Sequence, residues 1–329
     1  MNRKSGLSAL GRALGLGVAL VLLAACGGGS SGSGTGEPGE PLKVVTLQVS
    51  DFLLPYLAEK QGLFQREGVN VELEPFTGGT QVQLPKVVSG DYDIGTGSSG
   101  DLLPSVTRGI PVSAIAGVGA TATGDLAKST QAMIYKDPAI TRPRDLAGRT
   151  VGLNSIGGSL ELYIRATVEQ DGGDPATINF VQIPVQNIPS AVDSGQLDVG
   201  QGFEPYLSVA RSMGLKELFS PSQIIDGLPS VVYFGKKDVL SSRAADVAAF
   251  SRAMQAAAKM ANTDPELMRD VVREHTQTDP TLLAGVKNFG NFTESMSPDK
   301  FTAYAEFAHA HQQIDRVPTA EEWVYVPTS

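Results

Sequence analysis

A nine-residue phrase occurs twice in this chain. Residues 89–97 read SGDYDIGTG and residues 194–202 read SGQLDVGQG, identical at five of nine positions and 105 residues apart. Ile94 in the first copy meets Val199 in the second. A second pair shares that offset: LQVS, ending at Ser50, and RTVGLNS, ending at Ser155. Strand, loop, helix, strand, helix, SG-x-x-D, strand, loop therefore runs through the chain twice. A chain of 329 residues is long enough for two domains of ordinary size, and the echo says they are built alike.

The elements between the echoes set the fold class. Residues 44–49 (VVTLQV) read as a buried strand. A loop at Ser50-Asp51 leads to a helical stretch over residues 55–60, stopped by Gly62. Residues 69–76 (VNVELEPF) alternate apolar and polar with the period of a half-buried strand. Residues 92–97 and 112–117 are short apolar runs before Gly-rich loops. Such alternation predicts α/β architecture, with parallel sheets covered by helices. Residues 131–136 (QAMIYK) and 231–237 (VVYFGKK) fall between and after the copies, where two strands would cross as a hinge. The expected first lobe is then 42–136 plus 229–329, and the second lobe 137–228. Toward the C-terminus, Val247, Phe250, Met254, Ala257 and Ala261 share one helix face. Asp264-Pro265 and Ser297-Pro298 are helix starts. The second of those helices turns Phe301, Tyr304, Ala305 and Ala308 inward, and Trp323 is expected in the core or at the hinge.

The N-terminus is a targeting segment. Arg3, Lys4 and Arg12 precede or enter an apolar run over residues 13–25. Thirteen residues make about 20 Å of helix, too short for a bilayer core of about 30 Å. Residues 1–25 thus read as a signal peptide. Leu23-Ala24-Ala25-Cys26 resembles the bacterial lipobox, which implies cleavage before Cys26 and lipidation there, on the extracytoplasmic face of the cell membrane. Residues 26–41 then hold the lipidated Cys and a tether. Residues 27–41 contain seven Gly, three Ser and two Pro, a flexible composition with a reach of about 20 Å.

Charge and residue inventory close off several functions. The net charge of −9 becomes −12 once residues 1–25, with three positive and no negative charges, are removed. A nucleic-acid reader needs a basic face. Cys26 is the single cysteine, so intramolecular disulfides and cysteine-ligated zinc are impossible. The three histidines, His275, His309 and His311, fall in the last fifth of the chain. Residues 152–159 have the glycine spacing of a phosphate-binding loop, but Gly158 stands where its lysine belongs. The one G-x-S-x-G, residues 28–32, lies in the Gly/Ser tether and not between a strand and a helix, so it is no nucleophile elbow. Glu306, His309 and His311 fit a solvated helix face better than a metal site. Asp91-Tyr92-Asp93 lacks the later ligands of a calcium loop. No metal and no cofactor are expected.

Several strands are followed by loops of small polar residues: Ser50-Asp51-Phe52, residues 77–80, 96–100 and 154–159, and Gln201 to Glu204. In a parallel α/β sheet, ligands sit at the C-terminal ends of strands, where helix N-termini present unpaired N–H groups. Small residues let a ligand approach those amides.

Residues 55–79 (PYLAEKQGLFQREGVNVELEPFTGG) resemble the opening of the nitrate/sulfonate/taurine-type solute-binding proteins of ABC importers, a family that also takes in thiamine-pyrimidine-synthase-like proteins. Ala58, Gly62, Phe64, Glu67, Gly68 and Val71 meet its A-x-x-x-G-x-F and E-G-x-x-V pattern. Residues 87–97, 142–159 (RPRDLAGRTVGLNSIGGS) and 192–205 (VDSGQLDVGQGFEP) follow in family order. The resemblance implies a type II periplasmic-binding-protein fold: two α/β lobes joined by two crossover strands and closing over a solute. Its binding positions carry over to Ser50, Asp51, Phe52, Thr77, Gly78, Gly97, Ser98 and Ser99 on the first lobe. On the second they are Asn154, Gly157, Gly158, Ser159, Gln201 and Glu204.

The expected function is that of a lipoprotein, not an enzyme, which captures a small organic solute and hands it to an ABC permease and its ATPase. The ligand class is open. A sulfonate, nitrate or taurine-type anion fits the family, yet these loops carry no evident Arg or Lys, and Asp51 and Glu204 are acidic. An amino-heterocycle, such as a thiamine-precursor pyrimidine, would suit Glu204 and a stacking Phe52. A pyrimidine-synthesising enzyme of the same fold is the catalytic rival. Its chemistry resembles a His- and Cys-dependent iron reaction, whereas Cys26 is the anchor and the histidines are remote in sequence. Ser159→Ala or Glu204→Ala is expected to weaken binding with stability unchanged to within about 1 kcal/mol.

Overall fold

The computed structural model describes residues 39–325 apart from 77, 121–125, 127–128, 221–227, 277, 287 and 295. The expected signal segment, Cys26, most of the expected tether and Thr77 lie outside the described residues.

Among the described residues, ten strands form two five-stranded sheets. They are β1 Leu42–Leu47, β2 Val71–Phe76, β3 Ile94–Ser98, β4 Val112–Ala120, β5 Gln131–Tyr135, β6 Thr150–Leu153, β7 Asn179–Gln182, β8 Val199–Phe203, β9 Lys216–Glu217 and β10 Pro229–Lys236. The sheet orders are β2-β1-β3-β10-β4 and β7-β6-β8-β5-β9. β1 runs parallel to β2 and β3, and β6 parallel to β7 and β8. β10 and β5 are the antiparallel strands. Both sheets thus have one plan: second, first and third strands parallel, then an inserted strand, then the fourth.

The insertion corrects the expected hinge. β5 lies wholly in the second sheet and β10 wholly in the first, so neither strand is shared. The chain leaves the first sheet at Ala120 and enters the second at Gln131. The sheet boundary therefore falls before residue 131 rather than after 136. The return runs between Glu217 and Pro229.

The repeated phrase has a physical cause. Gly90 and Gly195 have φ of +88° and +76°, the left-handed turn that glycine adopts without strain and that ends the preceding helix. Three residues on, Asp93 accepts the backbone N–H of Lys43 at 2.9 Å, and Asp198 accepts that of Thr150 at 2.8 Å. Each aspartate thereby sets the start of its strand against the neighbouring parallel strand. Val44 pairs with Ile94 and Val151 with Val199, so the two echoes occupy equivalent sheet positions. Asp93 also meets Arg243, which gives it a structural role.

Helices cover both faces of each sheet. Leu54–Lys60, Leu63–Glu67, Ala244–Thr263 and Pro265–His275 pack one face of the first sheet, with Val247, Phe250, Met254, Ala257 and Ala261 all buried. Thr80–Ser89, Ser99–Thr107, Pro298–Ala310 and Ala320–Trp323 take the other. Trp323 is a core residue there, set edge-on to Phe301 with ring centres 4.6 Å apart. Both Pro-led helices form. Asp264 caps the first by accepting the Glu266 N–H, while Ser297 makes no side-chain cap bond. β1 starts and ends two residues before the expected strand, because Leu42 pairs with Val71 and a 3-10 turn begins at Ser50. β2 is an edge strand, which tolerates Pro75 and leaves alternate residues exposed.

Candidate functional site

The C-terminal ends of β1, β2 and β3 face those of β6, β7 and β8 across a cavity of about 960 Å³. Of the expected residues, Asp51, Phe52, Gly78, Gly97, Ser98, Asn154, Gly158, Ser159, Gln201 and Glu204 line it. Ser50, Ser99 and Gly157 do not. Ser50 instead spans the lobes, with its N–H and Oγ each donating to the Glu204 carbonyl at 3.1 Å. Ser99 is fully buried, packed into the start of its helix. Gly157 is exposed and donates its N–H to Glu161 at 2.9 Å.

The second-lobe helix Ser159–Gln170 aims its N-terminus at the cleft, as expected for an anion site. A carboxylate is already there. Asp101, from the first-lobe helix Ser99–Thr107, accepts the Ser159 N–H at 2.6 Å with Oδ1 and the Thr80 hydroxyl at 3.3 Å with Oδ2. Ser98 Oγ and Ser159 Oγ are 2.7 Å apart, and Ser155 donates to Gln81 at 2.7 Å. The lobes are therefore in contact, clamped at this edge of the cleft. A Cβ at Gly158 would come within 2.5 Å of Asp101 Oδ1, so a larger residue there must displace that carboxylate.

Glu204 is committed to its own lobe. Its carboxylate, only 3% exposed, pairs with Arg211 at 2.6 Å and accepts the Ser208 N–H at 3.1 Å. Arg211 in turn holds Glu217 at 2.6 Å. Burial pushes the Glu204 carboxyl upward, with Arg211 opposing. Gln201 is also braced, accepting the Asn154 N–H at 3.2 Å. Asp51 differs: Oδ2 has the Thr130 hydroxyl at 3.5 Å, and Oδ1 is buried without a partner. Burial, then the nearby charge of Glu204, pushes its carboxyl up to about 7. Burial likewise raises Asp101, against the hydrogen bonds it accepts from Ser159.

Sequence reasoning missed several lining residues. Gln48, Thr80 and Asp101 stand within or next to the recognised loops, so neighbourhood was their only signal. Gln182 ends β7, and residues 183–186 follow it. His275, Thr276, Thr278 and Asp279 reach the cavity from the end of helix Pro265–His275, which nothing local in the sequence reveals. His275 thus lies in the wall despite its distance along the chain. It stacks on Tyr56 with ring centres 3.8 Å apart, and burial lowers its pKa. Among the described residues no group of three or more His, Cys, Asp or Glu side chains is gathered to hold a metal ion. The arrangement can enclose a small molecule, offering it apolar walls, backbone amides, hydroxyls and carboxamides.

A family model described as NMT1/THI5 like matches residues 50–267. No curated protein matches the chain significantly. Among solved structures, the periplasmic aliphatic sulphonate binding protein SsuA of Escherichia coli is similar at 15% identity and a TM-score of 0.69, over 88% of this chain and 93% of that one. The alkanesulfonate-binding protein SsuA of Xanthomonas axonopodis pv. citri, bound to MOPS, gives 15% and 0.71 over 88% and 99%. The periplasmic nitrate-binding protein NrtA of Synechocystis PCC 6803 gives 15% and 0.63 over 79% and 74%. These likenesses show the periplasmic-binding-protein fold.

Proposed function

The chain belongs to the NMT1/THI5-like family, and we propose that it is the extracytoplasmic solute-binding component of an ABC importer. One observation carries the reading. Two lobes of the same topology meet over a cavity of about 960 Å³, and hydrogen bonds bridge them at its rim. An open form admits the solute to one lobe, and contacts from the other favour closure. The protein is non-catalytic, anchored by lipid at Cys26, with a permease and its ATPase as partners. The sulfonate- and nitrate-binding neighbours support an oxyanion-bearing organic solute, taurine-type compounds included. A second ligand reading, an amino-heterocycle, is favoured by the cavity wall, which contains Asp51 and Phe52 and no Lys or Arg among its described residues.

The test is uptake. A solute that raises the melting temperature of the purified protein is supplied, isotopically labelled, to wild-type and deletion cells. Deletion is expected to abolish high-affinity accumulation, and unchanged uptake of every bound solute refutes the importer reading. Cys26→Ala is expected to release the protein from the membrane.

A further inference from the structure

The wall of the cavity is rich in acids and poor in bases. Asp51, Asp101, Glu204 and Asp279 line it, and no described Lys or Arg does. Asp101 takes the N-terminus of helix Ser159–Gln170, and Arg211, outside the lining, is held by Glu204 and Glu217. One lining side chain can still become a cation. His275 ends helix Pro265–His275 and is half-buried in the wall, its ring stacked on Tyr56 of helix Leu54–Lys60. It makes no hydrogen bond with a described residue, and neither ring nitrogen is shut off from solvent. His309 and His311 are exposed and lie outside the lining. Several charged groups surround His275. Glu274 is on its own helix, where Arg273 pairs with Asp270 at 2.8 Å. Glu59 and Lys60 are on the Tyr56 helix, with Lys60 paired to Glu274 at 2.6 Å, and Glu74 on β2 faces Tyr56. Burial lowers the ring's pKa below its ordinary 6.5, with Lys60 assisting and Glu274 and Glu59 opposing. The ring is therefore neutral in the empty cavity at neutral pH, and an anion brought beside it favours the protonated form.

We propose that His275 is the solute-contacting residue that meets an anionic head group, and that it takes up one proton as the solute binds. This rests on the oxyanion-bearing reading above and supplies the counter-charge that the strand-end loops lack. The proton comes from solvent and stays on a ring nitrogen, so one negative solute enters with one new positive charge. Glu274 and Glu59 steady that charge from outside the cavity. An uncharged solute of the same shape draws no proton and loses the ion pair.

Calorimetry on the full-length protein in detergent tests this with ethanesulfonate and benzenesulfonate, each beside an uncharged sulfone, ethyl methyl sulfone and methyl phenyl sulfone. At least one sulfonate is expected to bind about tenfold or more tighter at about pH 5.5 than at about pH 8, and the sulfones to show no such dependence. Its binding heat near neutral pH should vary with the ionisation heat of the buffer, reporting uptake of up to one proton. Asp51, whose carboxyl lies near 7, gives a pH dependence of the same sign, so the histidine variants decide. His275→Gln should erase both the pH dependence and the proton uptake. His275→Lys, charged throughout, should keep sulfonate binding and lose its pH dependence. Melting checks that both variants fold. In the unaltered protein, the titration midpoint of the His275 ring, followed by nuclear magnetic resonance, should rise when the sulfonate is saturating. A midpoint that does not move overturns the inference without any variant. So do acid enhancement that survives in His275→Gln, sulfonate binding indifferent to pH, and silence from both sulfonates at about pH 5.5. Each of these outcomes leaves the importer reading intact, which stands or falls on uptake.

Discussion

Removing the Asp101 carboxylate should shift the protein toward its open form without any ligand present. Asp101 reaches from the first lobe to the Ser159 N–H at 2.6 Å, the first residue of a twelve-residue helix. A hydrogen bond to a charged group is worth about 1.5–3 kcal/mol net of competing water. The helix N-terminus adds to the preference for negative charge within its first turn. In the open form water replaces this bond, so Asp101→Ala costs only the closed state. At about 1.4 kcal/mol per factor of ten, the closed-to-open ratio should fall about 10- to 100-fold. Asp101→Asn keeps an acceptor but loses the charge, and should fall about half as far on the free-energy scale. Cys26 is the sole cysteine, so replacing it leaves a chain free of background thiols. Spin labels at the exposed Ser89 and Glu169, on helices of opposite lobes, report the inter-lobe distance by electron double resonance. A longer distance, or a second longer population, is expected in Asp101→Ala. Identical distributions in wild type and both variants would refute the clamp.

Asp51 makes stability depend on pH in an unusual direction. Its carboxyl lies near 7 when folded against an ordinary 3.8, so the folded protein holds a proton that the unfolded chain has released. Stability should therefore fall as pH rises from about 4 to about 7 and level off above, by up to about 4 kcal/mol at about 1.4 kcal/mol per unit. Urea melts of wild type and Asp51→Asn across that range check this, and parallel profiles would count against it. Gly158→Ala puts a Cβ 2.5 Å from Asp101 Oδ1 at a backbone angle alanine adopts freely (φ −97°). It should mimic Asp101→Ala in the distance measurement while leaving the melting temperature nearly unchanged. Glu204→Ala should cost about 1–3 kcal/mol in urea melts, because it strips a partner from Arg211 and from the Ser208 N–H in a buried setting. The smaller cost expected from sequence alone treats Glu204 as a cleft residue outside the core.

The fold was legible in the sequence because its determinants are local. A glycine that must turn left-handed and an aspartate that holds the next strand recur at fixed spacing in Gly90 and Asp93, then in Gly195 and Asp198. Strand-end loops were legible for the same reason, and ten of the expected residues line the cavity. What sequence could not provide is how the polar groups pair once the lobes meet. Glu204 reads as a ligand contact until Arg211, one helix later, is seen to hold it at 2.6 Å. Asp101, unread in the sequence, lies in the first turn of its own helix, a position that helix's macrodipole favours. Its strongest partner is the N-terminus of a helix 58 residues away in the other lobe. The helix N-terminus expected to receive a ligand instead takes a carboxylate of the chain itself. With Asp101 and Glu204 both satisfied internally, the second lobe has little need of a negative ligand. Asp51, on the first lobe, is left as the wall carboxylate with the weakest support, a single Thr130 hydroxyl at 3.5 Å.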